Sequence, residues 1–405
     1  MDNNERKAEG QFKSGRRQAL YALFIALFFV PTLALLLLPV LGQKDASVKE
    51  NRALTRLPAP SVSSFMDGSF QDALEDALTD QLPGGEAVKD LALDGKNAIL
   101  TLQQRLLYAA APGLKTNYVM IAQGYYHYAG DEHRIVEKPE EQDPERLKSF
   151  AAVFAGIPRE QLCVYFIENS RTVDFDRPEM SGEVYRQVTA ALEPAKADRF
   201  TVRDYRDYCE NFYQTDHHWN ARGSYEGYRA VYRLLHGTDE GALSPLDTMS
   251  TQAVFQGSYA RQTHILCADE TFSFQTFELP PYTAYINGRR RGYGNLSAYE
   301  KQKYSTEPLA NHYANCFGGD FAQIVYDFGN EGKGKLLMVA SSYSNPINAL
   351  IAAGYDQTYV VDLRYYEEWA GAPFDPAAYC RENGIDTVLL LGDVKLYFED
   401  LPGEG

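Results

Sequence analysis

Apolar residues follow three successive patterns along the chain, and the first is one long uncharged run. Residues 18–42 are almost entirely apolar and carry no charged side chain. About 20 such residues span a bilayer core, so the run predicts a transmembrane helix that Pro31 would kink. Basic residues cluster in segment 1–17, which predicts a cytoplasmic tail, with the rest of the chain outside the cell. A cleaved signal peptide is the alternative.

The second pattern, in residues 43–110, predicts a linker followed by helices. Residues 43–60 are polar and contain proline, as expected of a juxtamembrane linker. Between 61 and 110, apolar residues recur at spacings of three and four, which predicts helices. An aromatic stretch punctuated by glycine follows at 115–132 and predicts a pair of strands.

The third pattern alternates strands and helices from residue 143 to the end of the chain. Strands are predicted at 161–170, 199–204, 335–341, 357–363 and 386–392, and helices at 143–157, 183–197, 221–237, 345–354 and 375–384. This alternation predicts an α/β domain over residues 111–405, with a mostly parallel sheet between two helical layers. Residues 245–330 break the pattern and predict a β-rich insertion.

Composition narrows the class of partner. The net charge is −16, which argues against nucleic acid because phosphate binding requires clustered Lys and Arg. The 29 tyrosines suit a sugar-binding groove and equally a half-buried sheet surface. The five cysteines show no CxxC pair and no disulfide framework, and they leave the compartment open.

The stretch Thr215–Asn220 contains the first candidate for chemistry. Asp216 and His218 are separated by one residue, so an extended or tightly turned backbone can direct both side chains to the same side. A carboxylate placed in this way orients an imidazole and stabilises its protonated form. The adjacent His217 is predicted to be a flanking residue. A purely structural Asp–His pair and a zinc site are the alternatives.

The second candidate is a serine on a predicted strand-to-helix turn. Ser342 follows the strand that ends near Ala340, so it would lie at the carboxyl edge of the sheet. Its own N–H group and those that follow would point at a bound group, an arrangement that stabilises an oxyanion. Serine is also a common helix cap, which is the structural alternative for Ser344.

Two further polar residues end predicted strands at the same edge. Asn169 is a candidate second oxyanion donor, or simply a residue that turns the chain. Arg364 is a candidate for contact with a substrate carboxylate or sugar hydroxyl, or for an ion pair with Asp362 or another acid. Tyr343 and Trp219, next to the serine and the histidine, complete the set of candidate substrate contacts.

The segment TDHHWNARGSYEGY resembles the signature of the DHHW family, which consists of membrane-anchored bacterial proteins. More distantly, the chain is similar to the SGNH-hydrolase-like domains of the alginate O-acetylation proteins AlgJ and AlgX. Those domains pair an Asp-x-His-Trp motif with a downstream Gly-Thr-Ser-Tyr-Ser-like motif. Here Ala340 and Ser341 stand in place of Gly-Thr. The resemblance implies an SGNH-like fold, with Asp216 and His218 as the dyad and Ser342 as the nucleophile.

We therefore expect a single-pass membrane protein with an extracellular domain that transfers or removes O-acetyl groups on a cell-surface polysaccharide. No cofactor or metal is required by this chemistry. By resemblance, a multi-pass membrane acyltransferase is expected to supply the acyl group. The alternative is a non-catalytic surface protein that binds a glycan or a protein partner.

Overall fold

The structure, a computed structural model, describes residues 43–47, 52–56, 58–59, 61, 64, 69–81, 85–291 and 303–400. No helix in this part of the chain is both long enough and apolar enough to cross a membrane. The predicted tail 1–17 and membrane span 18–42 lie outside the described residues, so both stay predictions.

Contacts divide the chain into two units, residues 1–95 and 96–405. In the first unit, part of the predicted linker forms two short antiparallel strands in which Ala46 pairs with Ala53. Gln81, at the end of the following helix, fixes this segment. Its side chain donates to the carbonyl oxygens of Lys44 at 2.9 Å and Thr55 at 3.0 Å. The linker predicted from composition therefore contains local structure.

The strands, numbered in chain order, are β1 Ala46–Ser47, β2 Arg52–Ala53, β3 Tyr118–Ala122, β4 Tyr125–Tyr128, β5 Asp131–Val136, β6 Leu162–Ile167, β7 Lys196–Phe200, β8 Asp247–Val254, β9 Thr271–Thr276, β10 Thr283–Ile286, β11 Arg289–Arg291, β12 Gln323–Asp327, β13 Lys335–Ala340, β14 Gln357–Val361 and β15 Thr387–Gly392. The helices are α1 Ser69–Gln81, α2 Gly85–Ala110, α3 Pro144–Val153, α4 Glu183–Leu192, α5 Tyr205–Asn211, α6 Ala221–His236, α7 Ser258–Thr263, α8 His312–Phe317, α9 Asn348–Ala352, α10 Leu363–Ala370, α11 Pro376–Asn383 and α12 Val394–Phe398.

The main sheet has the strand order β11-β10-β12-β14-β13-β15-β6-β7. The five strands from β14 to β7 run parallel. The strands β12, β10 and β11 are antiparallel to their neighbours. The α/β class is thus confirmed, but the sheet is mixed where a mostly parallel one was predicted. The parallel strands are rich in buried Val, Leu and Ile, because both of their faces are covered.

Two apolar cores lie on opposite faces of this sheet. One contains Met338 and Leu389 together with α6 and α9. The other contains Val339 and Leu390 together with α3, α4, α11 and α12. Successive residues of a strand point to opposite faces, which is why neighbours in sequence enter different cores. The sheet therefore lies between two helical layers, as the sequence pattern predicts.

The predicted insertion 245–330 is only in part a separate structure. Its strands β8 and β9 form their own antiparallel pair. Its later strands β10, β11 and β12 instead extend the main sheet, and they account for its antiparallel portion. Alternation predicts a strand but does not identify its partner, so the sequence pattern did not place these strands.

Two strand predictions needed smaller corrections. The strand predicted at 199–204 lies earlier, at Lys196–Phe200, because Asp204 caps helix α5 by accepting from the N–H of Asp207. The pair predicted at 115–132 is a three-stranded sheet of β3, β4 and β5. Helix starts were predicted more closely, since Asp143 and Asn220 cap α3 and α6 through their side chains.

The packing of Trp219 on helix α6 generates a stability prediction. Trp219 is buried, and a Cβ atom at Gly227 would lie 2.4 Å from Cζ3 of its ring. We expect Gly227→Ala to lower the free energy of unfolding by about 1–3 kcal/mol in urea titrations. Gly95→Ala is the matched control, because a Cβ atom at that helical glycine meets nothing within 4 Å. It should be neutral or stabilise by up to about 1 kcal/mol. Equal effects of the two substitutions would contradict this account of the packing.

Candidate active site

Asp216, His218 and Ser342 form one hydrogen-bonded chain. Nδ1 of His218 lies 2.6 Å from Oδ1 of Asp216, and Nε2 of the same ring lies 2.8 Å from Oγ of Ser342. Asp216 and His218 are buried, whereas Ser342 is partly exposed at the end of β13. The structure thus brings together the three residues that the sequence motifs predict, although 124 positions separate His218 from Ser342.

Three donors surround the carboxylate of Asp216. Its Oδ1 atom also accepts from the backbone N–H of His218 at 3.0 Å, and its Oδ2 atom accepts from the N–H of Ser258 at 2.7 Å. Burial alone would raise the pKa of Asp216. The charge of His218 and its two hydrogen bonds to the carboxylate outweigh burial and hold the pKa well below its usual range. The carboxylate is therefore ionised and fixes the orientation of the imidazole.

Ser258 belongs to the predicted insertion, so the insertion supplies part of this site. Gly257 makes the approach possible, because a Cβ atom there would lie 2.4 Å from Cβ of Asp216 and 2.6 Å from the carbonyl oxygen of Thr215. The N–H of Gly257 donates to Oγ1 of Thr215 at 2.9 Å. Sequence reasoning missed both residues, since they lie about 40 positions from the motif that they hold.

Tyr313, also from the insertion, contacts both His218 and Ser342. Its ring stacks on the imidazole of His218 with centroids 3.8 Å apart and planes 13° apart. Its hydroxyl donates to the carbonyl oxygen of Ser342 at 3.0 Å. No motif marks this residue in the sequence.

The backbone at the serine carries unsatisfied donors. Ser342 begins the short 3-10 turn Ser342–Ser344. Within the described residues, the N–H groups of Ser342 and Tyr343 have no hydrogen-bond acceptor. The first N–H groups of a helical turn lack intrahelical partners, which leaves them free for a bound anion or polarised oxygen.

Asn169 and Tyr343 are buried behind this turn. The amide nitrogen of Asn169 donates to the hydroxyl of Tyr343 at 2.9 Å and to Oδ2 of Asp393 at 3.0 Å. The Tyr343 hydroxyl donates in turn to the carbonyl oxygen of His217. Tyr343 therefore ties the serine turn to the histidine segment, and its burial leaves little surface for the predicted substrate contact. In this structure the side-chain amide of Asn169 donates to Tyr343 and Asp393. Its predicted role as an oxyanion donor stays a prediction.

Trp219 and Arg364 are placed differently from the predicted substrate contacts. The Trp219 side chain is 1% exposed and packs edge-on against Tyr343 at 5.6 Å, so it is a core residue. Arg364 pairs with Asp362 and, at 3.1 Å, with Asp320. The structure thus contains the ion pair that was one of the two roles predicted for this arginine.

His217 adjoins the trio, with Nδ1 3.7 Å from Oδ1 of Asp216. Its Nδ1 atom lies 2.9 Å from Oγ of Ser258. Burial and the neighbouring His218 lower the pKa of His217 well below its usual range. Ligand atoms of Asp216, His217 and His218 lie within 4.8 Å of one another, the spacing of a metal site. Both ring nitrogens of His218 are hydrogen-bonded within the trio, so a metal would have to displace these bonds.

No protein-family model matches the sequence, and no curated protein matches it. Among solved structures, the chain is similar to PatB1 from Bacillus cereus, with a TM-score of 0.50 and 16% identity, covering 66% of this chain and 97% of that one. A second PatB1 structure carries a sulfonyl adduct. At this level of identity, the likeness shows a shared fold.

Other similar structures include the two groups that the sequence motifs resemble. A DHHW family protein from Eubacterium siraeum has a TM-score of 0.48 and 17% identity, covering 70% of this chain and 93% of that one. The O-acetyltransferase domain of AlgJ from Pseudomonas putida has a TM-score of 0.35 and 12% identity, covering 66% of this chain and 91% of that one.

A half-buried carboxyl beside the histidine segment generates a prediction on pH. Glu270 accepts from the backbone N–H of Gln214, and burial raises its pKa from 4.5 to about 7. Between these values the folded protein binds more protons than the unfolded chain, so the free energy of unfolding falls as pH rises through this window. We expect Glu270→Gln to reduce that fall by roughly 1–2 kcal/mol between pH 5 and pH 8 in urea titrations.

Glu278→Gln is the control, because Glu278 is exposed. It should leave the pH dependence of stability unchanged. If the stability profile of Glu270→Gln superimposes on that of the unsubstituted protein, the raised pKa of Glu270 is contradicted.

Proposed function

We propose that this protein is a serine-dependent acyl-transfer enzyme that moves or removes O-acyl groups, chiefly acetyl, on a cell-surface polysaccharide. The observation that carries the proposal is the continuous chain from Asp216 through His218 to a partly exposed Ser342, with bonds of 2.6 and 2.8 Å. This arrangement activates a serine hydroxyl. The SGNH-like fold expected from the sequence motifs is consistent with the proposal.

In the first step, Oγ of Ser342 attacks the carbonyl carbon of the ester and gives its proton to Nε2 of His218. The carbonyl oxygen becomes an oxyanion, which the free N–H groups of Ser342 and Tyr343 would stabilise. The bond to the leaving oxygen then breaks, and His218 returns the proton to that oxygen. Ser342 is left acylated and the alcohol is released.

In the second step, an acceptor hydroxyl attacks the acyl carbon and gives its proton to His218. Ser342 then leaves and recovers that proton. A sugar hydroxyl as acceptor gives O-acyl transfer, and water gives ester hydrolysis. Asp216 stays ionised throughout, holds the imidazole in one orientation and offsets its charge.

We further propose that residues 18–42 anchor the chain in the membrane with the catalytic domain outside the cell. An acyl group drawn from the cytoplasm must then cross the bilayer, so a multi-pass membrane acyltransferase is the expected donor partner. The apolar run and the basic residues before it support this placement.

Removing the nucleophile should abolish turnover. With p-nitrophenyl acetate as the donor, we expect Ser342→Ala, His218→Ala and Asp216→Asn to lower kcat at least about 10³-fold. Ser341→Ala is the matched control, because the neighbouring Ser341 hydroxyl is buried and has no hydrogen-bond partner among the described residues. It should retain nearly full activity.

Two further measurements distinguish the proposal from its alternatives. A sulfonyl fluoride should modify Ser342 stoichiometrically by mass spectrometry, and the His218→Ala variant should resist it. A chelator should leave turnover unchanged, whereas a metallohydrolase would lose activity. Folded wild-type protein that turns over no faster than the Ser342→Ala variant would favour a non-catalytic binding protein and refute the enzyme.

Tyr313 should support the histidine when it becomes charged. Tyr313→Phe keeps the stacked ring and loses one hydrogen bond, so we expect kcat to fall about 2- to 10-fold. Tyr313→Leu also removes the aromatic face over the imidazolium, which should cost a further 2- to 30-fold, approximately. Urea titrations of both variants separate this effect from unfolding. Equal activities of the Phe and Leu variants would show that the stacking does not contribute.

A further inference from the structure

Three consecutive arginines form the edge strand of the main sheet. Arg289, Arg290 and Arg291 make up β11, and all three are exposed. Within the described residues, none of them forms an ion pair or a side-chain hydrogen bond. In a chain with a net charge of −16, unpaired cations grouped in this way form a local site for an anion.

A tight turn fixes the position of these arginines. Asn287 and Gly288 join β10 to β11 and have φ angles of 47° and 71°, as a two-residue hairpin turn requires. Asn287 also exchanges hydrogen bonds with Gln323, through its N–H at 2.9 Å and its side-chain oxygen at 3.0 Å. The turn that precedes Arg289 is therefore fixed to strand β12 by hydrogen bonds.

Arg289 and Arg291 line a groove of about 530 Å³, whereas Arg290, from the opposite face of the strand, does not. The other lining residues are Ile286, Asn287, Phe321 and Trp369. Guanidinium groups bind carboxylate or phosphate through paired hydrogen bonds, and an aromatic ring packs against the apolar face of a sugar. The groove thus combines the two contacts that an acidic sugar needs.

The groove and Ser342 lie along the same edge of the sheet. The pairing of Asn287 with Gln323 continues through Val361 to Val339, three residues before Ser342. With neighbouring strands about 4.8 Å apart, the groove lies roughly 15–20 Å from the serine. Only an extended ligand can reach both.

Strand β14 lies between β13 and β12 in the sheet, and the helix that follows β14 carries exposed aromatic side chains. Helix α10 follows β14 and presents Tyr365 and Trp369, which are 40% and 39% exposed and lie one turn apart on the same face. Near the serine, Arg364 pairs with Asp320, which accepts from the side chain of Asn345 at 2.8 Å. A chain of sugar rings could follow this series of polar and aromatic groups.

We propose that the substrate is an acidic polysaccharide, bound by its carboxylate or phosphate groups at Arg289 and Arg291 while a residue several sugars away lies at Ser342. This inference rests on the proposed function and specifies its substrate. A polymer bound at both ends of this path would keep its acyl-bearing residue near the serine between turnovers. An anionic membrane surface fits less well, because the aromatic and basic groups line a concave groove.

Intrinsic fluorescence reports on the groove directly. The chain has two tryptophans, and Trp219 is buried, so quenching by a ligand reports on Trp369. With the full-length chain, we expect polygalacturonate or polyglycerol phosphate to quench fluorescence at low salt, and neutral dextran to have no effect. The polyanion that binds with the lower Kd identifies carboxylate or phosphate as the recognised group. The joint substitution Arg289→Ala and Arg291→Ala should weaken binding about 10- to 100-fold.

Arg290→Ala is the matched control, because it removes a charge from the same strand but not from the groove, and we expect it to change Kd less than about 3-fold. Turnover of p-nitrophenyl acetate should be unchanged in Arg290→Ala. The proposal would be overturned by equal losses in Arg290→Ala and the double variant, by equal binding of dextran, or by no binding of either polyanion. Because residues 18–42 are proposed to bind membranes themselves, the vesicle test compares variants: binding to phosphatidylglycerol vesicles that falls in the double variant but not in Arg290→Ala would also overturn it. If the protein binds the polyanion but has no esterase activity, the proposed acyl-transfer function is refuted and the proposed binding site is not.

Discussion

The ionised carboxylate of Asp216 is the interaction on which the site depends. A buried carboxylate is costly unless hydrogen bonds and an opposite charge compensate for its lost hydration. Here the compensation comes from the His218 ring, the His218 backbone and the N–H of Ser258. Each of these groups is held by the fold, so the carboxylate and its surroundings stabilise one another. The orientation of the imidazole toward Ser342 follows from this arrangement.

The surrounding aromatic and polar contacts restrict the site to one geometry. Tyr343 links the serine turn to the carbonyl of His217, and Asn169 links Tyr343 to Asp393. Tyr313 covers the remaining face of the imidazole. Because these groups come from strand ends and from the insertion, the site is assembled by the tertiary fold and not by any one segment. This preorganisation is what electrostatic catalysis requires.

The sequence predicted those parts of the structure that depend on local pattern. Apolar runs identified the parallel strands, and the alternation of these runs with helical segments identified the helices between them. The motif residues Asp216, His218 and Ser342 were also identifiable, because their chemistry restricts the residue types. The antiparallel strands β10, β11 and β12 were assigned to a separate insertion, since alternation does not specify a partner strand. Ser258 and Tyr313 were missed because their contacts with Asp216 and His218 join residues distant in sequence.

The position of Gly257 restricts how this sequence can evolve. Its backbone approaches Asp216 so closely that no side chain fits between them, and the neighbouring Ser258 supplies a hydrogen bond to the carboxylate. Surface loops ordinarily tolerate deletion and exchange between homologues. Here, a descendant that lost this loop would also lose one of the three donors to the buried carboxylate of Asp216. The segment and the histidine motif are therefore expected to be inherited together.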